Sequence, residues 1–229
     1  ETAQKKQTQF IASASHELRT PLAVVRSGLE SVEKCSNEEE RNHFLHLMSE
    51  ETVHMKRLID DMLLLANSDA DTLTIKPEAC QPDLLLLDTY EKFEPLARKN
   101  GLHLILTLPE EILPDCFCDI HRTEQIFSII VDNALCYTPS GGKVTLSCHA
   151  ENEMLCFLFK DTGCGISEEK KSHIFERFYR ADDAHTDREH FGLGLCIAKE
   201  LTEKQNGNIQ VVDAPISGSC FMVQLPCAL

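Results

Sequence analysis

Apolar residues repeat with a 3.5-residue period along the first third of the chain, which is the period of a coiled-coil-like helix. One set is spaced by seven and a second interleaves with it, the two sets being Ile11, Leu18, Val25 and Val32, and Ser15, Leu22 and Leu29. A later stretch repeats the period with Met48, Met55 and Met62 interleaved with Leu45, Thr52, Ile59 and Ala66. The pattern predicts two helices, over residues 1–34 and 38–68, on either side of a polar break.

Two such helices joined by a short loop predict an antiparallel hairpin. A hairpin of two helices buries too little apolar surface to be stable alone. We therefore expect it to dimerise into a four-helix bundle. Packing of the same apolar stripes against the rest of the chain stays open as the alternative.

The pattern changes to mixed strands and helices after the polar run Asn67-Ser68-Asp69-Ala70-Asp71. Strands are predicted over residues 73–75, 102–108, 143–150, 154–160, 208–212 and 219–225, and helices over 82–99, 119–137, 168–175 and 193–205. Strands in one group with helices on one face indicate an α+β sandwich. The predicted organisation is a helical hairpin over residues 1–68, a linker over 69–72 and an α/β-sandwich domain over 73–229.

The composition is that of an acidic chain with apolar cores. Of its 229 residues 42% are hydrophobic, and 37 acidic against 22 basic side chains give a net charge of −15. Binding to a phosphate backbone needs basic patches, so nucleic acid is not expected as a partner. No stretch approaches about 18 consecutive apolar residues and no signal peptide opens the chain, so we expect no membrane contact within it. The polar start resembles a cut inside a longer helix.

The 11 cysteines are odd in number and lack disulfide-like spacing. Most of them lie in apolar runs, which indicates small core residues in a reducing compartment. Cys116-Phe117-Cys118 is a C-x-C pair, but no second pair lies at zinc-site spacing. No structural metal is therefore expected there.

The stretch Ser15-His16-Glu17-Leu18-Arg19-Thr20-Pro21-Leu22 carries the first candidate chemistry. In the heptad register His16 lies beside the apolar seam and is open to water on one side, where a nucleophile can be reached. Thr20 lies four residues on, on the same helix face. Pro21 cannot donate to the carbonyl of Glu17, which loosens the helix there. An ordinary surface histidine is the alternative interpretation.

Asp161 ends a predicted strand and opens the loop Asp161-Thr162-Gly163-Cys164-Gly165-Ile166. Its carboxylate can accept a hydrogen bond from the exocyclic amine of adenine, whereas guanine presents a carbonyl there, so the acid favours ATP over GTP. Gly163 and Gly165 let the backbone approach the ring closely. The alternatives are an ordinary turn, or a calcium loop with too few acids.

Two further motifs suit nucleotide phosphates. Phe191-Gly192-Leu193-Gly194-Leu195 begins a predicted helix, and glycines there free backbone amides to hold phosphate at the helix N-terminus. Asn133 can ligate Mg²⁺ through its amide oxygen or donate to phosphate, and Tyr137 on the same predicted helix can stack on a base. The alternatives are a glycine-eased helix start and a polar residue that faces solvent.

The order of these motifs resembles the sensor histidine kinases of two-component signalling. It runs His-Glu-Leu-Arg-Thr-Pro, Asn-Ala, Asp-x-Gly-x-Gly, Phe-x-x-Phe-Tyr-Arg and Gly-Leu-Gly-Leu. Residues 9–68 resemble the dimerisation and histidine-phosphotransfer domain. Residues 72–227 resemble the catalytic ATP-binding domain, with the Bergerat fold of DNA gyrase and heat-shock chaperone ATPases. Residues 175–180 are similar to the family's phenylalanine box, and residues 218–221 to its last glycine motif.

The resemblance implies an autophosphorylating kinase that uses ATP and Mg²⁺ to phosphorylate His16. The phosphoryl group would pass to an aspartate of a response regulator receiver domain, for which the protein would also be a phosphatase. Glu17 would orient the imidazole and take its proton, and Thr20 would position water for dephosphorylation. The resemblance further implies a homodimer, and the cytoplasmic region of a bacterial plasma-membrane receptor.

The resemblance also implies the nucleotide site. Asn133 would hold Mg²⁺ or the phosphates, Tyr137 would pack near adenine, and Asp161 would read its amine. Near the base, the other implied ATP contacts are Gly163, Gly165 and Ile166. Near the phosphates they are Gly192, Leu193, Gly194 and Leu195, under a lid at about residues 181–191. Arg180 would contact the triphosphate or the catalytic interface.

Two positions depart from the family. Ile129 stands where an asparagine that holds Mg²⁺ is common, and Cys136 where a lysine that touches phosphate is common. We expect weaker binding of Mg-ATP than in members with both groups. The alternatives are a weakly active or inactive kinase that acts as phosphatase or scaffold, an ATPase of the same fold that drives conformational change, and a purely structural dimerisation module.

Overall fold

A computed structural model describes residues 2–180, 191–213 and 218–228. The chain forms two compact units. The first comprises Glu1–Thr72 with Glu176–Leu193, and the second Leu73–Phe175 with Gly194–Leu229. Within the described residues, no helix combines the length and the apolar character that crossing a membrane requires.

The first unit contains the predicted pair of helices, α1 (Thr2–Lys34) and α2 (Glu38–Asp69). Asn37 lies between them, and its side chain accepts a hydrogen bond from the backbone N–H of Glu39 at 3.0 Å. The polar break therefore ends one helix and caps the next. The first turn of α2 is also acidic, which suits the positive end of the helix dipole.

The surface that α1 buries differs from the predicted seam. Ala14, Pro21 and Gly28 are buried at intervals of seven, and a Cβ on Gly28 would lie only 2.7 Å from Met48 Cγ of α2. Small residues therefore occupy the contact between the helices, where larger side chains were expected. Three large residues of the predicted seam are instead between 54% and 58% exposed, namely Ile11, Leu22 and Leu29.

The second unit mixes strands and helices, as predicted. In chain order it comprises β1 (Glu78–Cys80), α3 (Pro82–Lys99), β2 (His103–Thr107), β3 (Cys116–Cys118), α4 (Ile120–Tyr137), β4 (Lys143–Glu151), β5 (Met154–Asp161), α5 (Glu168–Lys171), α6 (Gly194–Glu203), β6 (Asn208–Asp213) and β7 (Ser219–Pro226). Five strands form one sheet in the order β2-β4-β5-β7-β6, in which β2 and β4 are parallel and all other neighbours are antiparallel.

An aromatic cluster fixes α4 on the sheet. Phe127 of α4 lies against Phe157 and Phe159 of β5, with ring centroids 4.8 and 5.0 Å away, and all three side chains are fully buried. α4 also contacts α3 and α6. This packing brings the end of α4 to the loop that follows β5, since a Cβ on Gly163 would collide with the backbone carbonyl of Tyr137.

The predicted strand over residues 73–75 is wrong. The strand of this region is β1, and it pairs antiparallel with β3 in a separate two-stranded sheet. The stretch before β1 is held in another way, because Asp119 Oδ2 accepts a hydrogen bond from the Lys76 N–H at 2.9 Å. The predicted helix over residues 168–175 shortens to the single turn α5.

Candidate functional site

His16 lies near the middle of α1 with its side chain 74% exposed. Its Nδ1 is 3.5 Å from Oε1 of Glu17. A carboxylate beside Nδ1 favours a proton on that nitrogen, which leaves the lone pair of a neutral imidazole on Nε2. Thr20, one turn on, is also exposed, and α1 continues through the buried Pro21. The arrangement can present a nucleophilic nitrogen to a second molecule.

Asp161 lies at the end of β5 and is only 4% exposed. Two backbone N–H groups donate to its Oδ1, from Gly163 at 2.7 Å and from Ser219 at 3.1 Å. Burial raises the pKa of this carboxyl, and hydrogen bonds from the backbone and from the Ser219 side chain oppose that shift. Both of these backbone hydrogen bonds go to Oδ1, so neither of them engages Oδ2.

Close backbone approaches shape the surroundings of Asp161. A Cβ on Gly163 would collide with the carbonyl of Tyr137, and one on Gly218 would collide with the carbonyl of Asp161. Gly165 has a φ of +75°, and its Cβ position lies 3.1 Å from the Gly218 carbonyl oxygen. Side chains are therefore excluded at these positions, and the half-buried Ile166 follows them.

Asn133 is half-buried on α4, one turn after Ile129 and one turn before Cys136. The three residues share a helix face because of this spacing. Cγ2 of Ile129 lies 3.1 Å from the point that a Cβ on Gly194 would occupy. A methyl group of Ile129 therefore lies beside Gly194, the first residue of α6, where the sequence predicts a bound phosphate. The next residue, Leu195, is half-buried.

The remaining predicted nucleotide contacts belong to the first unit. Gly192 has a φ of +73°, and its carbonyl accepts a hydrogen bond from the Phe178 N–H at 2.9 Å. Leu193 is 1% exposed, whereas Arg180 is exposed. Residues 181–190 of the predicted lid lie outside the described residues.

A contact that the sequence did not predict joins the phenylalanine-box segment to the hairpin. Arg177 donates to both carboxylate oxygens of Asp69, at 2.8 and 2.7 Å, and this lowers the pKa of Asp69. The guanidinium of Arg177 lies 5.4 Å from the ring centroid of Phe10. The ring centroids of Phe10 and Phe178 are 5.6 Å apart. Asp69 and Arg177 are 108 residues apart in the sequence, so no local pattern could indicate their ion pair.

Known proteins match both parts of the chain. The family model of the His Kinase A (phospho-acceptor) domain matches residues 6–71, and that of the histidine kinase-, DNA gyrase B- and HSP90-like ATPase matches residues 118–229. The sensor histidine kinase RppB of Synechocystis sp. is 34% identical over 226 residues, covering 97% of this chain and 49% of the relative. The chain thus spans about half the length of this curated relative.

Solved structures share the architecture. Full-length ShkA in complex with AMPPNP matches with a TM-score of 0.72 and 26% identity, covering 96% of this chain and 46% of that one. The histidine kinase ThkA in complex with the response regulator protein TrrA matches with a TM-score of 0.76, covering 96% of this chain and 61% of that one. The identity to ThkA is 19%, so this likeness shows the fold alone.

Proposed function

The chain belongs to the sensor histidine kinases of two-component signalling, and we propose that it is an ATP-dependent kinase that phosphorylates its own His16. One observation carries the proposal. An exposed histidine beside a carboxylate stands on a helix of the phospho-acceptor domain, and the same chain continues into an ATPase-like sheet that ends a strand on the buried Asp161.

The proposed reaction is an in-line phosphoryl transfer. The lone pair of His16 Nε2 attacks the γ-phosphorus, and the bond from that phosphorus to the bridging oxygen breaks, with its electron pair leaving on ADP. The Nδ1 proton passes to Glu17, whose Oε1 lies 3.5 Å away. Catalysis would come mainly from positioning, because phosphoryl transfer requires little covalent chemistry from the protein. Histidine suits the role of acceptor because an ordinary imidazole is neutral and nucleophilic near neutral pH.

ATP would bind to the second unit. Oδ2 of Asp161 would accept a hydrogen bond from the adenine amine, with Gly163, Gly165, Ile166 and Tyr137 around the base. The phosphates would lie toward Gly194 and Leu195, since the N-terminus of α6 favours negative charge. The phosphate contacts of Gly192, Leu193 and Arg180 stay predictions from the family resemblance.

Mg²⁺, when bound, would neutralise charge on the phosphates. The amide oxygen of Asn133 is its proposed protein ligand, and the apolar Ile129 lies one turn before it on α4. A single protein ligand suits Mg²⁺, because this ion commonly takes most of its ligands from phosphate and water.

A homodimer would complete the hairpin as a four-helix bundle. Seven large apolar residues of α1 and α2 are at least 43% exposed in the single chain, namely Ile11, Leu22, Leu29, Leu45, Val53, Ile59 and Leu63. So much exposed apolar surface is typical of an interaction face. A second copy of the same hairpin would cover it with its own matching residues.

The phosphoryl group would then pass to an aspartate of a response regulator receiver domain. The support is the fold shared with ThkA, which is solved in complex with a response regulator protein. We further propose that the kinase dephosphorylates this regulator, and that the chain is the cytoplasmic region of a bacterial membrane receptor. The domain limits proposed for it are residues 1–68 and 73–229.

Incubation with γ-labelled ATP and Mg²⁺ tests the kinase. Phosphohistidine is expected as a label on the chain that acid removes and alkali preserves. Steady ATP hydrolysis without labelling would instead favour an ATPase, and failure to bind any adenine nucleotide would favour a structural module.

A weakly active kinase that serves mainly as phosphatase or scaffold is the second candidate. It is favoured by the methyl group of Ile129, which lies 3.1 Å from the Cβ position of Gly194 at the proposed phosphate end. Slow or absent labelling together with efficient dephosphorylation of the regulator would favour this candidate.

Restoring the two polar groups by Ile129→Asn with Cys136→Lys should tighten the binding of Mg-ATP. Hydrogen bonds to charged groups contribute roughly 1.5–3 kcal/mol, so a gain of at least about tenfold in affinity is expected from calorimetry. The pair Ile129→Ala with Cys136→Ala is the control, because it also removes the methyl groups of Ile129 but adds no polar group. An equal gain in the control would assign the effect to relief of crowding, and no gain would show that the site binds phosphate differently.

Thr20→Ala should impair dephosphorylation of the regulator by at least about tenfold, and autophosphorylation much less. The hydroxyl would position the attacking water, whereas the transfer from ATP uses His16 and Glu17. Rates of both reactions on the same preparation check this, with Thr20→Ser as the control that keeps the hydroxyl. Equal losses in both reactions would make Thr20 a structural residue.

A further inference from the structure

Three cysteine side chains converge in the two-stranded sheet of the second unit. Cys80 of β1 is the register partner of Cys116 of β3, and Cys118 lies two residues further along β3. Residues two apart on a strand point to the same side. The three Sγ atoms all lie within 4.8 Å of one another, and those of Cys80 and Cys118 are 3.4 Å apart.

We propose that Cys80, Cys116 and Cys118 form a binding site for one Cu(I) ion. Thiolates are soft ligands and select soft cations such as Cu(I). Three sulfurs at metal–sulfur distances of about 2.3 Å stand about 4 Å apart around a trigonal ion, which agrees with the observed cluster. A thiol that ligates the ion releases its proton to the solvent.

The number of ligands argues for Cu(I) over Zn²⁺, which takes four ligands in structural sites. Within the described part of the chain, the cluster contains no fourth histidine, cysteine or carboxylate. The neighbouring Asp119 is already engaged, since its oxygens accept hydrogen bonds from the N–H groups of Arg122 at 3.1 Å and of Lys76 at 2.9 Å. It supplies negative charge near the site without completing a tetrahedron.

Burial and access suit a bound ion. Cys116 and Cys118 are fully buried, whereas Cys80 is half-buried on the edge of the cluster. Glu78 precedes Cys80 by two residues on β1, so an acidic side chain lies next to the approach. An ion can therefore enter past Cys80 and be held by the two buried sulfurs.

The cluster lies far from the proposed nucleotide site. Cys116 forms a β-bridge with Cys227, which directly follows β7. Pro226 at that end of β7 pairs with Met154, the first residue of β5, whereas Asp161 is the last. At about 3.3 Å per residue, roughly 20 Å of strand separates the two ends. Bound Cu(I) would act on the junction between the two sheets and not on phosphoryl transfer directly.

Anaerobic titration of the whole reduced chain with Cu(I), in competition with bathocuproine disulfonate, tests the site. One Cu(I) per chain should survive the competition, with only sulfur neighbours by X-ray absorption. Cys80→Ser and Cys118→Ser should each lower the affinity at least about tenfold. Cys148→Ser and Cys220→Ser are matched controls for buried thiols outside the cluster and should keep it.

Copper retained by both cluster variants, or lost equally in the controls, would overturn the assignment. Because Cys80 is half-buried, its variant decides the matter even if Cys118→Ser fails to fold. Added Cu(I) should also raise the melting temperature of the wild type and not that of Cys80→Ser. A parallel titration with Zn²⁺ addresses the identity of the ion, and preferential uptake of Zn²⁺ with an oxygen ligand would overturn the Cu(I) site.

Discussion

His16→Gln is expected to abolish labelling of the chain by γ-labelled ATP, to below about 1% of wild type, without changing ATP affinity. Glutamine has a similar length and polarity but no nucleophilic ring nitrogen, so Nε2 is lost as the attacking atom. The side chain is 74% exposed, so the substitution should leave the hairpin folded. Labelling is measured on the separated chain, and ATP binding by calorimetry.

The chain contains a matched control for this variant. His46 of α2 is also 74% exposed, and its Nδ1 lies 3.3 Å from Oε1 of Glu50, so it repeats the exposed histidine–carboxylate pair outside the predicted motif. His46→Gln should keep full labelling. Label that survives in His16→Gln and disappears in His46→Gln would place the phospho-acceptor on α2.

Asp161→Asn is expected to weaken ATP binding at least about 100-fold, which corresponds to roughly 2.7 kcal/mol. Its amide can still accept the hydrogen bonds from Gly163 and Ser219 on one oxygen. The other atom becomes an NH₂ group that faces the adenine amine, donor against donor. GTP should lose less affinity than ATP, because guanine presents a carbonyl at that position.

The pH dependence of ATP binding provides a second measurement on the wild type. Burial raises the pKa of Asp161, so the carboxylate loses its charge at a higher pH than an ordinary aspartate as the solution is acidified. ATP affinity should fall over that range in the wild type and stay flat in Asp161→Asn.

Asp119→Asn is the control that distinguishes a direct loss of ATP binding in Asp161→Asn from a general loss of folding. Asp119 also accepts hydrogen bonds from two backbone N–H groups, and it caps α4. Asparagine has a single side-chain oxygen and can accept only one of these bonds in the same place, so this variant should lower the melting temperature and keep ATP affinity. If Asp161→Asn binds ATP like the wild type, the acid does not read the base.

Local patterns predicted the elements that carry strong local signals. The start of α2 follows from Asn37 and the three acidic residues after it, and the start of α3 follows from Pro82. The strands β4 and β5 are predicted because turn residues precede each of them, namely Ser140-Gly141-Gly142 and Asn152-Glu153. Short strands failed: Leu73-Thr74-Ile75 alternates like a strand, yet β1 lies further on because its partner is β3.

Because β1 is predicted at the wrong residues, the sequence does not indicate the cysteine cluster either. Cys116 and Cys118 are visible as a pair in the sequence, but the third sulfur lies 38 residues before Cys118, on a strand that was predicted elsewhere. The ion pair of Arg177 with Asp69 was missed for the same physical reason, since tertiary contacts between distant segments leave no periodic signal. The contact between α1 and α2 at Gly28 is not predicted, because a hydrophobic repeat is recognised from large apolar residues and small residues do not contribute to it.

The hydrogen bond from the Ser219 N–H to Asp161 has a consequence for biosynthesis. The acid and its second donor are 58 residues apart, and β7 must pair with β5 before they meet. At roughly 5–20 residues per second, a ribosome needs several seconds to add that length. In the proposed mechanism, a nascent chain that already contains α1 would complete the surroundings of Asp161 only after β7 has been added and has paired with β5.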